Sequence, residues 1–100
     1  MGKAENYVEG YLVDQCDAYD ILCFKFISGH NGVPDRICIG NGLVRFIETK
    51  SKTGQPTPLQ RAIHRMFARH GVTVYVPHTR EEIDELIIPL KQRTEPLKQK

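Results

Sequence analysis

Val33-Pro34-Asp35-Arg36-Ile37-Cys38-Ile39-Gly40, then Asn41-Gly42, then Leu43-Val44-Arg45-Phe46-Ile47-Glu48-Thr49-Lys50 is the stretch that decides the fold. Two apolar runs flank an Asn-Gly pair. A two-residue type I′ turn needs positive φ at both central positions, which Asn and Gly accept. If Asn41-Gly42 is the whole turn, Gly40 pairs with Leu43. Counting outward then sets Asp35 opposite Glu48 on one sheet face, Cβ atoms roughly 4.5–5.5 Å apart. Lys50, two residues beyond Glu48, points to the same face. A three-residue loop that included Gly40 would set Asp35 against Ile47 instead, and a β-bulge would be needed to reunite the carboxylates. Opposed carboxylates cost up to about 1 kcal/mol even on an exposed sheet. A divalent cation is the natural compensation.

Outward from the hairpin, the punctuation is clear. Val8, Leu12 and Cys16 recur at four-residue spacing and predict a helix over 4–17, with Glu9 on the flank of the stripe. Gly10 inside it costs about 1 kcal/mol relative to Ala and suggests close packing. Residues 21–28, β-branched and aromatic, predict a strand. Thr57-Pro58 opens a helix, Thr as N-cap and Pro in the first turn. Its expected buried stripe is Leu59, Ala62, Ile63, Met66, Phe67 and His70, with Gly71 as its stop. Val72–Val76 predicts a strand. Thr79-Arg80-Glu81-Glu82 resembles a capping box that starts a last helix. The order is helix, three strands, helix, strand, helix: an α+β class fold, a mixed sheet with helices against it. One domain over 1–100 is expected, with its core over about 4–88 and a frayed tail over 91–100.

The net charge of +2 conceals segregation. Residues 1–34 carry −3, residues 35–80 carry +6, and residues 81–100 carry −1. A basic field around an acidic centre suits a polyanion held against a metal. Arg61, Arg65 and Arg69 align at four-residue spacing, ready for phosphate contacts that position DNA without reading it. Arg36, Lys52 and Lys25 are further candidate DNA contacts, Lys25 pointing away from the face of Phe24 and Phe26. No apolar run approaches the ~18–20 residues of a membrane span, and the Met1-Gly2 start lacks a signal-peptide core. An intracellular, cytoplasmic protein is expected. Cys16, Cys23 and Cys38 form no C-x-x-C pair, which argues against a disulfide framework and against a zinc site; reduced, mostly buried thiols are expected.

Magnesium prefers octahedral oxygen coordination, usually one or two carboxylates plus phosphate oxygens and waters. Asp35 and Glu48 can supply the carboxylates, and the Thr49 backbone carbonyl a further oxygen. Lys50 on that face can orient a water or neutralise charge on a phosphoryl transition state.

Pro34-Asp35, twelve intervening residues, then Glu48-Thr49-Lys50 resembles the PD-(D/E)XK nuclease signature. Glu9-Gly10-Tyr11-Leu12-Val13, Phe24-Lys25-Phe26, Gly32-Val33-Pro34-Asp35-Arg36, Phe46-Ile47-Glu48-Thr49-Lys50 and Thr57-Pro58-Leu59-Gln60 with His64 narrow the resemblance. Together they resemble the virus-type replication-repair nuclease (VRR-NUC) family, from about Glu9 to Leu86. The resemblance implies a restriction-endonuclease-like αβββαβ fold and Mg2+-dependent phosphodiester cleavage, with Mn2+ as a substitute. It implies Asp35 and Glu48 as metal ligands and Lys50 as the catalytic lysine. Glu9 matches a helix-one acid, a supporting or additional ligand, and Gln60 a glutamine lining the site. Thr49 stands where family members often carry an aliphatic residue. Small stand-alone members resemble homodimers that cut four-way (Holliday) DNA junctions, in a viral or prophage setting. A two-fold dimer suits a two-fold junction, and the last helix, with Leu86, Ile87, Ile88 and Leu90, is the expected dimer surface. A monomeric nicking or flap nuclease and a non-catalytic nucleic-acid-binding module are the alternatives.

Overall fold

The Asn41-Gly42 turn forms as its residues dictate, with φ of 51° and 76°. It joins β2 (Arg36–Gly40) to β3 (Leu43–Ile47), and Gly40 pairs with Leu43, Cys38 with Arg45 and Arg36 with Ile47. The two-residue turn and its register are therefore realised. Described in the computed structural model are residues 3–97; the Met1-Gly2 start and the last three residues of the tail lie outside them. Around the hairpin stand α1 (Lys3–Ala18), β1 (Leu22–Lys25), α2 (Pro58–Arg69), β4 (Val74–Tyr75) and α3 (Arg80–Ile87), closed by a 3-10 turn, Ile88–Leu90. The element order is the expected one. Strands lie in the order β1-β2-β3-β4, antiparallel except for the parallel β3–β4 pair. A parallel pair needs a crossover, and α2 supplies it.

Strand alternation gives the two sheet faces different neighbours. Cys38 and Ile47 point to α1 and α3, where they join Val8, Leu12, Cys16, Ile21, Ile83, Leu86, Ile87 and Leu90 in one buried core. The opposite face carries Phe46, stacked between Phe26 (centroids 5.6 Å apart) and Phe67 (5.3 Å, edge-on) of α2. The helix is too short to cover that face. Leu22, Phe24 and Val44 remain about half exposed, and Ile27 is 83% exposed.

Several local expectations are corrected. Of the stripe expected on α2 only Ile63 is buried; Leu59 and Met66 are largely exposed, and His70 caps the helix end, its N–H reaching the Phe67 carbonyl. The α2 stripe rests on half a sheet, so periodicity outran the surface available to bury it. Gly10 is exposed, and a Cβ there would meet nothing within 4 Å, so no close packing explains it. Both outer strands are shorter than their apolar runs. The tail is tied down through Leu97 rather than frayed: Gln92 N–H donates to the Tyr19 carbonyl (3.1 Å), Leu97 N–H to that of Ala18 (2.8 Å), and the Lys91 ammonium lies 3.8 Å over the Tyr19 ring. The last helix is no free dimer surface, because Leu86, Ile87 and Leu90 are spent in the core and only Ile88 stays exposed, at 59%.

Among the described residues no helix is long and apolar enough to cross a membrane.

Candidate active site

Asp35 and Glu48 lie one step beyond the last ladder pair, Arg36 and Ile47. Their backbones face outward. The Asp35 carbonyl accepts from Phe26 N–H at 2.6 Å, and Glu48 N–H donates to the Tyr75 carbonyl at 2.8 Å. Continuing the antiparallel alternation makes this the pair that exchanges no backbone hydrogen bond, the kind whose side chains approach more closely. Lys50 N–H donates to the Pro77 carbonyl at 3.1 Å, so the chain leaving β3 stays pinned beside β4 through Lys50.

Glu48 is buried, 1% exposed, although it is an acid. Two side chains of α2 meet it. Gln60 Nε2 donates to Glu48 Oε2 at 3.3 Å, and His64 Nε2 stands 3.9 Å from Oε1, too far for a hydrogen bond. Gln60 is held by a capping box: its backbone N–H donates to Thr57 Oγ1 (3.1 Å), and its Oε1 accepts from Thr57 N–H (2.9 Å). That leaves the amide nitrogen aimed at Glu48. The same capping box that starts α2 therefore aims the Gln60 amide at Glu48. Burial, and then the Lys50 ammonium, push the His64 imidazole below its usual range, which places Lys50 in the same neighbourhood. Thr49 is fully buried.

The loop after β3 is braced from the far side. Gly54 N–H donates to the Ser51 carbonyl (3.1 Å), and the Gly54 carbonyl is joined to His78 Nε2 (2.9 Å). The loop before β2 packs on α2: Gly32 adopts φ +90°, and a Cβ there would stand 2.9 Å from Ile63 Cγ1 and 3.2 Å from the Leu59 carbonyl oxygen. A Gly32→Ala chain should therefore melt lower, by about 1–3 kcal/mol of overpacking plus left-handed strain, in a urea titration followed by circular dichroism.

Other candidate residues lie elsewhere. Arg36 is turned inward, its Nε 2.8 Å from Glu9 Oε2, and Lys25 Nζ is 3.8 Å from the same oxygen. Glu9 is thus engaged with two cations borne on the face of β1 and β2 opposite Phe24 and Ile37. Arg61 holds the Pro56 carbonyl at 2.6 Å, and Lys52, Arg65 and Arg69 are exposed. His64, one turn from Gln60 and part of the same Thr57-to-His64 motif, stands beside Glu48 although no site role is expected of it from the sequence.

No family model and no curated protein matches the chain. A solved structure described as a VRR_NUC domain does, with a TM-score of 0.77 and 29% identity, over 86% of this chain and 96% of that one. That likeness supports the VRR-NUC family for this chain. Its four-stranded mixed sheet flanked by helices is the restriction-endonuclease-like arrangement of that family. A VRR_NUC likeness implies a nuclease of the PD-(D/E)XK type, one that hydrolyses phosphodiester bonds with DNA as substrate.

Proposed function

We propose that this VRR-NUC domain is a Mg2+-dependent, structure-selective DNA endonuclease that acts as a homodimer on four-way junctions. The observation that carries the catalytic reading is the hairpin register, which makes Asp35 and the buried Glu48 the next pair beyond the ladder, with Gln60 on Glu48. The donor chemistry fits a hard cation. Asp35, Glu48 and the Thr49 carbonyl offer oxygen, which Mg2+ prefers, and a buried acid gains most from a metal partner. When bound, the cation would polarise the scissile phosphate and acidify a water. Asp35 and Glu48 would hold and orient it. Gln60 fixes the Glu48 rotamer. Lys50 meets negative charge developing on the phosphoryl oxygens. Lys52, Arg61, Arg65 and Arg69, all exposed, hold the backbone of the DNA. Gln60→Ala should lower activity roughly 10–100-fold, the usual loss for a residue that orients a metal ligand, and raise the Mg2+ concentration needed for half-maximal rate.

The dimer reading is supported by the bare sheet face. Leu22, Phe24, Ile27 and Val44 leave an apolar surface that a lone soluble domain rarely exposes. A second copy covering it would bring two sites to one two-fold substrate. Light scattering should give twice the 11.4 kDa chain mass, and Phe24→Glu should halve it. Incision mapping on a labelled four-way junction, beside duplex, flap and single strand, with Mg2+ or chelator, tests the whole reading. Paired symmetric cuts in the junction support it. A monomer that cuts one flap strand refutes the resolvase, and cleavage in chelator refutes the metal.

A further inference from the structure

Three thiols far apart in sequence meet on the helix-covered side of the sheet. Cys16 comes from α1, and Cys23 and Cys38 are cross-strand partners on β1 and β2. Cys38 Sγ lies 3.9 Å from Cys16 Sγ and 3.5 Å from Cys23 Sγ, and all three sulfurs lie within 4.8 Å of one another. Among the described residues this is the one such trio of His, Cys, Asp or Glu. With Zn–S bonds of ~2.3 Å, thiolates around one ion stand roughly 3.8–4.0 Å apart, so the triangle needs only small adjustments to enclose one.

Charge and access agree with that size. Cys16 and Cys38 are fully buried, whereas Cys23 is half-buried on the edge strand and offers a way in. Three thiolates and a divalent ion leave one negative charge, and the Arg36 guanidinium acts on Cys23 to offset it. Soft thiolates select zinc-like ions over Mg2+, which separates this cluster chemically from the oxygen donors of Asp35 and Glu48.

We propose that Cys16, Cys23 and Cys38 form a three-thiolate site for Zn2+, a fourth position being left to water on the open side of Cys23. The ion would pin α1 to β1 and β2 and stabilise the fold. Nothing in this rests on the nuclease reading.

The test uses the full chain, reduced with a phosphine and kept in Mg2+. Co2+ titration should raise a thiolate-to-metal charge-transfer band that saturates at one equivalent, and Zn2+, the tighter binder, should abolish it by displacement. Zn2+ should also raise the melting temperature. Cys23→Ser, which spares the two core thiols, should remove the band while circular dichroism shows the fold retained. Absence of the band in folded, fully reduced wild-type chain would overturn the site. So would a band of undiminished strength in Cys23→Ser. Because carboxylates give no such band, ions held at Asp35 and Glu48 do not register.

Discussion

Replacing Glu48 with Gln should slow DNA cleavage by on the order of 10³-fold or more while leaving junction affinity within a few-fold of wild type. A metal-held transition state is worth several kcal/mol, and each 1.4 kcal/mol or so is a factor of ten. Gln keeps the volume of a side chain that is only 1% exposed, so packing beside Gln60 and His64 survives. What disappears is the charge. On the proposed reading DNA affinity belongs mostly to the cationic residues, Lys52 and the arginines of α2, because phosphate contacts dominate such affinity. Single-turnover cleavage and equilibrium binding in Ca2+, which supports binding poorly suited to catalysis, separate the two effects. Equal loss of both would assign Glu48 to structure or DNA contact instead of catalysis.

Gly40→Ala should be the most damaging small substitution in the fold. Gly40 ends β2 beside the hairpin turn, and a Cβ there would overlap the carbonyl of Leu90. A backbone atom cannot rotate away as a side chain can, so either β2 or the 3-10 turn Ile88–Leu90 must move. Leu90 is fully buried in the core, and its displacement spreads to Ile83 and Ile87. A cost of about 3 kcal/mol is expected, which lowers the melting temperature of a domain this size by roughly 12–24 °C. By contrast a Cβ at Gly42 would meet nothing within 4 Å, so Gly42→Ala should cost only the strain of its positive φ. Calorimetry on the two chains side by side tests the distinction; equal melting points would mean that Leu90 does not pack as found.

The hairpin was legible because its information is local. Asn41-Gly42 sets the turn, the turn sets the register, and the register carries Asp35 and Glu48 to corresponding places. The caps at Thr57 and Thr79 were legible for the same reason, although the second is shifted: Glu82 accepts from His78 N–H at 2.6 Å, not from Thr79. Spacing alone misled where burial depends on what lies opposite. The apolar stripe of α2 reads the same whether a full or half sheet sits beneath it, and Leu86, Ile87 and Leu90 read as surplus until α1 is seen to cover them. The thiol cluster was least legible of all. Sequence spacing rules detect sites built within one element, whereas Cys16, Cys23 and Cys38 are joined by a helix packing on two strands. Glu9 illustrates the same limit, since its neighbours Arg36 and Lys25 come from those two strands.

A crystal of the chain soaked in Mn2+ and measured at the manganese edge tests the carboxylate pair most directly. The proposed site requires an anomalous peak coordinated by the carboxylates of Asp35 and Glu48 and the Thr49 carbonyl, lost in Glu48→Gln. A fully occupied peak elsewhere, or one that survives that substitution unchanged, would contradict it.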